Sequence, residues 1–344
     1  MLKLILLIIL LFSVIACSEH SIFLDNYPGN LYLVELQHLD SPDEISILPS
    51  NEIYDITPAG FVEKCGNPDV LSNTDCEDGV TDIVFPSNKE GYWQIYHGKV
   101  DINSKTITNL SAIVSNPDER YEDPRISWNG TKLLFKCGTN DNLNLCVCDF
   151  PEGTNKRTIV DTSSELWGPA WSPTDQNLIS YTDRTQGTQE SDEVYVYDYS
   201  TSQTTRLTDN DHPDMYTTIL KDGRIIWAYY NSEISLDNLL VADINDLSSK
   251  IEINVTGSDD DAYAFKNREN WFAFVGITDS QYSLFLYDLN SENHYQITEN
   301  LNVLGPVVFE ISKEQEDQSN GSTKVSFSVL IFLTYALFYF ITSS

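Results

Sequence analysis

One residue recurs at a nearly constant interval along most of this chain. Five short apolar stretches end in aspartate, at intervals of 48, 49, 45 and 45 residues, and these aspartates are Asp101, Asp149, Asp198, Asp243 and Asp288. A sixth stretch, 31–36, carries Glu35 in the corresponding place. Such a period indicates a repeat built from small sheets. Because a strand-end aspartate accepts hydrogen bonds from backbone N–H groups of the following turn, we expect its role to be structural.

Alignment of the copies gives four short strands in each unit. In the third unit the predicted strands, separated by turn-forming residues, are 167–171, 177–181, 194–198 and 205–208. The predicted units begin near Gly79, Tyr121, Glu165, Pro213 and Asp259. A single inner strand follows at 303–309, and the N-terminal segment offers outer strands at 31–36 and 53–57. The sequence therefore predicts an all-β protein, a six-bladed β-propeller of four-stranded antiparallel blades. Its closing blade is shared by the N- and C-terminal segments.

The third unit also resembles the blade of a known family, the TolB-type six-bladed β-propellers. The matching segments are Pro169-Ala-Trp-Ser-Pro-Thr174, Thr182-Asp-Arg184, Val194-Tyr-Val-Tyr-Asp198 and Arg206-Leu-Thr208. The other units match in fragments, and the similarity spans residues 31–311. The resemblance implies a propeller whose channel face holds a partner protein or peptide. It bears on fold far more than on activity.

The N-terminus has the pattern of an export signal. Residues 1–17 contain Lys3, an apolar run too short to span a bilayer, and small or β-branched residues before Cys17. We predict a secretory signal peptide. An alternative is that Val14-Ile-Ala-Cys17 resembles the lipobox of bacterial lipoproteins, in which case Cys17 would be lipidated.

The C-terminus has the pattern of a membrane attachment signal. A polar linker, 312–324, contains small residues around Asn320 and is followed by an apolar segment, 325–344. This order predicts a glycosylphosphatidylinositol anchor with Asn320 as its attachment site. A membrane-spanning tail is the alternative, although no Lys or Arg follows the apolar segment. We therefore predict a secreted protein on the extracellular face of the cell membrane, or a bacterial envelope lipoprotein in the lipobox reading.

The remaining cysteines suit an oxidising compartment. Their spacings favour disulfides over a metal site, and the predicted pairs are Cys65–Cys76 and Cys137–Cys146. The second pair flanks a turn at 138–142, so its members would face each other across a hairpin. Because Cys146 and Cys148 share a strand face, one of them is left over.

Sequons for N-glycosylation occur within the repeats. The predicted sites are Asn109, Asn129 and Asn254. They fit a secreted eukaryotic protein, although sequons also arise by chance in sequence that is rich in Asn and Ser.

The chain is strongly acidic and lacks the common catalytic motifs. With 52 acidic and 20 basic residues its formal charge is −32. Phosphate repulsion then disfavours nucleic acid as a partner. The sequence has no Gly-x-Ser-x-Gly elbow, no His-Glu-x-x-His and no phosphate-binding loop, so we assign no catalytic residue and no metal site.

Acidic residues are concentrated in the segments that join one unit to the next. In a propeller these segments share one face, so we predict ligand binding there by Asp123, Glu165, Asp211, Asp214, Asp260 and Asp261. The expected ligand is a basic protein or peptide or a cation, with Ca²⁺ considered because of residues 259–261. We expect a monomer with no cofactor. The alternatives are a solvated surface, a hydrolase or lyase that uses channel carboxylates, and a structural coat glycoprotein.

Overall fold

The computed structural model describes 24 β-strands in six sheets. It covers residues 16–25, 27–36, 53–72, 79–139, 142–162, 164–184, 191–231, 236–265, 268–278, 281–299 and 301–313. Each sheet has four antiparallel strands, and the sheets surround a central channel as blades. The predicted fold class is confirmed. Cys17–Lys313 forms one compact unit, somewhat longer than the predicted 31–311.

Blades 1 to 3 follow one another along the chain, each running from its innermost to its outermost strand. Blade 1 comprises β4 (Asp69–Val70), β5 (Val80–Ser87), β6 (Gln94–Asp101) and β7 (Thr106–Val114). Blade 2 comprises β8 (Arg120–Ile126), β9 (Lys132–Thr139), β10 (Asn142–Asp149) and β11 (Arg157–Val160). Blade 3 comprises β12 (Leu166–Trp171), β13 (Leu178–Arg184), β14 (Asp192–Asp198) and β15 (Gln203–Arg206).

Blades 4 and 5 repeat this order, and blade 6 closes the ring. Blade 4 comprises β16 (Asp214–Ile219), β17 (Arg224–Asn231), β18 (Leu236–Asp243) and β19 (Asp246–Ile253). Blade 5 comprises β20 (Asp259–Ala264), β21 (Trp271–Thr278), β22 (Gln281–Asp288) and β23 (Asn293–Gln296). Blade 6 comprises β24 (Val303–Lys313), β1 (Ala16–Asp25), β2 (Asn30–Leu36) and β3 (Ile53–Asp55).

Two strands differ from the sequence-based expectation. The sequence analysis did not predict strand β1. Its first residues overlap the predicted signal peptide, and its buried apolar residues Ile22 and Leu24 form too short a pattern to indicate a strand. Blade 1 begins at Asp69, not near Gly79, because its innermost strand has only two residues and leaves almost no periodic signal. The other four unit starts lie within one residue of the observed inner strands.

The hydrophobic core consists of layers between neighbouring blades. Ile83 and Phe85 face blade 6, whereas Val84 between them faces blade 2. In blade 5, Phe272 and Phe274 face blade 4, whereas Ala273 faces blade 6. Because successive side chains of a strand point to opposite sheet faces, every blade contributes to two layers. Six such layers join the ring and bury the sheet faces.

Four of the five repeated aspartates cap turns, as predicted. The Oδ1 atoms of Asp101, Asp198 and Asp243 each accept a hydrogen bond from the backbone N–H two residues later, at 2.8 Å. Asp288 does the same at 3.0 Å. Asp149 differs, since it binds the side chains of Lys132 and Asn155. The recurring residue therefore ends the third strand of each repeated blade and has a structural role.

One of the two predicted disulfides is present. Cys137 and Cys146 are joined across β9 and β10, with their Cα atoms 5.9 Å apart. Cys148 is buried in the same layer without a disulfide partner among the described residues. Cys76 lies outside the described residues, so the pairing of Cys65 with Cys76 stays a prediction. Cys65 is buried and forms no disulfide with a described residue.

Removal of the observed disulfide has a definite expected cost. Replacing Cys137 and Cys146 together by alanine is expected to lower the free energy of unfolding by about 2–3 kcal/mol, because the unfolded chain loses a short closed loop. Urea unfolding of the two proteins measures this difference. Peptide mapping of the unreduced wild type supplies the control. A peptide linking Cys137 to Cys148 would contradict the observed pairing.

Candidate functional site

The innermost strands share a backbone irregularity that shapes the channel. Their left-handed residues, with φ between 47° and 51°, are Asp123, Gly168, Tyr216, Asp261 and Gly305, one in each of blades 2 to 6. The strand pairing shifts register at the first four of these positions. A bulge of this kind redirects side chains, and here the side chains of Asp123, Tyr216 and Asp261 line the pocket at the channel. At Gly305 a Cβ atom would lie 2.5 Å from Asn67 Oδ1, so the close approach requires glycine.

A pocket of about 390 Å³ opens at the end of the channel where Asp123, Tyr216 and Asp261 lie. All six blades contribute to its wall. Its ionisable residues are Arg120, Glu122, Asp123, Arg125, Lys136, Asp260 and Asp261. Its aromatic residues are Tyr27, Trp167, Tyr216 and Tyr282, and the remaining ones are Asn67, Gly168, Val275 and Leu304. The volume lies in the range of small-ligand sites.

On the blade 2 side of the pocket, carboxylates and cations neutralise each other. Lys136 is 2% exposed, and its Nζ lies 2.9 Å from Asp123 and 3.4 Å from Glu122. Glu122 also accepts hydrogen bonds from Arg120 Nε at 2.7 Å and from the Tyr27 hydroxyl at 3.0 Å. Burial by itself would raise the pKa of Asp123, but Lys136 and Arg125 lower it further than burial raises it. This side of the pocket is a satisfied network.

On the blade 5 side, two adjacent carboxylates lack such partners. Asp260 accepts a hydrogen bond from the backbone N–H of Asp261 at 2.7 Å, and Asp261 accepts one from the Gly305 N–H, also at 2.7 Å. Neither forms a salt bridge with a described residue. Burial raises the pKa of Asp260 well above its usual value, and Asp261 and Asp237 raise it further. The pKa of Tyr216 is raised by burial and then by Asp260 and Asp261. A negative charge here is therefore uncompensated.

The channel narrows sharply below this pocket. The Tyr263 hydroxyl of blade 5 donates a hydrogen bond to Asp69 Oδ1 of blade 1 at 2.5 Å. The guanidinium carbon of Arg125 lies 5.9 Å from the centre of the Tyr263 ring. Two small cavities, of about 20 and 30 Å³, lie around these side chains. Arg125 lines the pocket and both small cavities, so it forms the floor of the pocket, and the Tyr263–Asp69 hydrogen bond lies beneath it.

The predicted acidic residues are divided between several environments. Asp123, Asp260 and Asp261 line the pocket. Glu165 lies 3.5 Å from Arg184, and Asp211 is exposed; neither is among the pocket residues. Asp214 is buried, and it accepts hydrogen bonds from Trp227 Nε1 at 2.9 Å and from Asn210 Nδ2 at 2.6 Å. Burial raises the pKa of Asp214 to about 6. The binding role of these six residues stays a prediction.

Sequence reasoning missed the basic and aromatic half of the pocket. Lys136 and Trp167 lie in strands whose other side chains mostly pack in the layers between blades. Nothing in the local sequence pattern indicates that these two residues line a pocket. The recurrent interval between Asp123, Gly168, Tyr216, Asp261 and Gly305 is a usable signal in retrospect. It was hidden because the five positions carry three different residue types.

Other predicted features have simple positions. Asn109, Asn129 and Asn254 are all exposed, and Asn320 lies outside the described residues. Among the residues that the structure describes, no group of three or more His, Cys, Asp or Glu side chains is arranged to hold a metal ion. No helix within the same ranges is long and apolar enough to cross a membrane. The predicted apolar tail is outside them.

Comparisons with known proteins bear on the fold. No family model and no curated protein matches the chain. TolB from Acinetobacter baumannii matches with a TM-score of 0.62 and 16% identity, over 85% of this chain and 66% of that chain, just under two thirds. A chain of a nidogen/laminin complex matches with a TM-score of 0.62 and 11% identity, over 84% of this chain and 98% of that chain.

A second TolB-like structure points the same way. The TolB homologue assigned in Agrobacterium tumefaciens has a TM-score of 0.55 and 12% identity, with 86% of this chain and 99% of that chain covered. At such identities the likeness concerns the fold alone. With six four-stranded blades closed by the two chain ends, the chain has the TolB-like six-bladed β-propeller fold.

Proposed function

We propose that this protein is an exported binding module that takes a positively charged group of a protein or peptide partner into the channel pocket. The observation that carries the proposal is Asp260, a pocket carboxylate with no cation in salt-bridge contact among the described residues. When all four carboxylates of the pocket are ionised, its three cations leave one negative charge, which a ligand with one positive charge balances. A bound cation would also relieve the repulsion between Asp260 and Asp261.

The aromatic residues favour an organic cation over a metal ion. Tyr216 lies beside Asp260 and Asp261, and Tyr27 and Tyr282 at the pocket are 40% and 39% exposed. Aromatic rings attract ammonium and guanidinium groups and are enriched where proteins bind proteins. A partner that inserts a basic group while contacting these rings uses both features.

Two observations support an exported protein with a macromolecular partner. The Cys137–Cys146 disulfide is typical of an oxidising compartment. This suits either predicted location, the cell surface or the bacterial envelope. One structure with the same fold belongs to a complex of nidogen with laminin, so such propellers occur in protein assemblies. The lipid attachment at Asn320, or at Cys17, remains part of this proposal.

Neutralising Asp260 is expected to weaken binding. Probes are hexapeptide amides of mixed sequence that carry one positive charge, compared with acetylated, fully neutral peptides. The Asp260→Asn variant is expected to bind the charged set about 10- to 100-fold more weakly, since a charge-assisted hydrogen bond contributes about 1.5–3 kcal/mol. Isothermal titration or fluorescence anisotropy measures the dissociation constants.

The pH dependence gives the same site a second signature. Since the pKa of Asp260 is raised in the empty pocket, its charge is present above that pKa and lost as the pH falls through it. Wild-type affinity for the charged peptides is therefore expected to fall on acidification, and Asp260→Asn should lose most of this dependence.

An exposed carboxylate on the same face provides the control. Asp118 lies in the segment between blades 1 and 2 and does not line the pocket. Asp118→Asn removes the same charge and is expected to leave affinity and its pH profile unchanged. Equal weakening by both variants would mean that the diffuse charge of the face attracts the peptide. No selectivity for charged peptides by the wild type would refute the proposal.

A further inference from the structure

We infer that the positively charged group is the free N-terminus of a peptide or protein, bound end-first, with its ammonium group at Asp260 and its first carbonyl oxygen at Arg125. This inference rests on the proposed function and specifies its ligand. It depends on three properties of the pocket: its closed floor, its charge balance and the unused donors of Arg125.

The closed floor requires that a chain enter by one end or by a side chain. The Tyr263–Asp69 hydrogen bond spans the channel from blade 5 to blade 1, and Arg125 lies against the Tyr263 ring. The two small cavities beside these side chains, of about 20 and 30 Å³, accommodate a water molecule or two and no peptide segment. A segment therefore cannot pass through the channel in this structure.

The charge balance disfavours a C-terminus. A carboxylate in the pocket would meet Asp260 and Asp261 on one side and the neutralised network of Lys136 on the other. The charge of Arg125 already acts on Asp123, whose pKa is lowered, and on Asp261, where it offsets part of the increase in pKa that burial causes. The pocket therefore leaves a negative charge at Asp260 uncompensated, and a group with a single positive charge would balance it.

Arg125 separates an N-terminus from a lysine side chain. Its Nη1 donates to the carbonyl oxygens of Pro124 at 2.9 Å and Pro68 at 3.5 Å. Its Nε and Nη2 groups donate to no described residue, although a guanidinium has five N–H donors. A lysine side chain has no hydrogen-bond acceptor. It would bury the Nε and Nη2 donors of Arg125 without a partner. The first residue of a peptide carries both an ammonium group and a carbonyl acceptor.

Two peptide sets distinguish these ligands in the wild-type protein. One set consists of hexapeptide amides with a free N-terminus and no Lys, Arg or His. The other consists of N-acetylated hexapeptide amides with one Lys and otherwise the same composition. We expect the free N-terminal set to bind at least about tenfold more tightly, as expected for a buried group left without its partner.

Variants of Arg125 test its assigned role. Arg125→Gln should remove the preference for the free N-terminus, and Arg125→Lys should retain part of it; circular dichroism checks that both are folded. Equal or tighter binding of the acetylated Lys set overturns this inference while leaving the proposed function in place. Binding of neither set by the wild type overturns both.

Discussion

Replacing Lys136 with methionine is expected to lower the free energy of unfolding by about 3–5 kcal/mol. The substitution removes a buried cation. The buried carboxylates of Glu122 and Asp123 then lose the positive charge that compensates them. Arg120 and Asn67 still contact these carboxylates, which places the expected value towards the lower end. Urea unfolding at neutral pH measures the loss.

An exposed ion pair supplies the comparison for this variant. Lys132 pairs with Asp149, and the two side chains are 36% and 29% exposed. Lys132→Met is expected to lower stability by less than about 1 kcal/mol.

Because the folded-state pKa of Asp123 is lowered, its contribution to the free energy of unfolding is present above the ordinary carboxyl pKa and lost as the pH falls through the folded value. The effect of Lys136→Met should therefore shrink in acid. Similar losses in the two variants would contradict a buried network at Lys136.

Ending the chain after Asn302 is expected to abolish cooperative folding. The truncation removes β24, the innermost strand of blade 6, with the buried side chains Val303, Val307, Val308 and Phe309. Strand β1 then loses one of its two partners and keeps only β2, and the ring is left with an unpaired sheet edge beside an exposed apolar layer. Aggregation is the expected result. Size-exclusion chromatography and thermal unfolding followed by circular dichroism measure it.

A longer truncation is the matched control. A chain that ends after Lys313 keeps all of β24 and lacks only residues that the structure leaves undescribed. It is expected to be monomeric and to unfold in one transition. A monomeric, cooperatively unfolding protein that ends at Asn302 would show that blade 6 does not hold the ring closed.

The network around Lys136 and the closing strand differ in how far the sequence reveals them. Strand β24 is recognisable because its apolar residues stand alone after five complete units, and an incomplete unit needs strands from the other chain end. Lys136 is a single basic residue in the apolar stretch of β9, where the ordinary expectation is a solvated side chain. Its carboxylate partners come from β8, and the bulge at Asp123 brings them to it.

The sequence by itself determined the period, the order of the strands and the turns. Those features depend on local chemistry: strand-end aspartates bind N–H groups two residues away, and alternating apolar residues face both neighbouring blades. The pairing of Cys137 with Cys146 could be predicted for the same reason, since they are nine positions apart and one turn lies between them.

The tertiary structure decided the character of the pocket. From the acidic segments between the units the channel face was expected to be acidic, whereas three cations also line the pocket and one side of it is neutralised. Asp69 and Tyr263 form a hydrogen bond beneath the pocket although they are 194 residues apart. Electrostatic interactions depend on distance and burial, and both are set only when six blades meet around one axis.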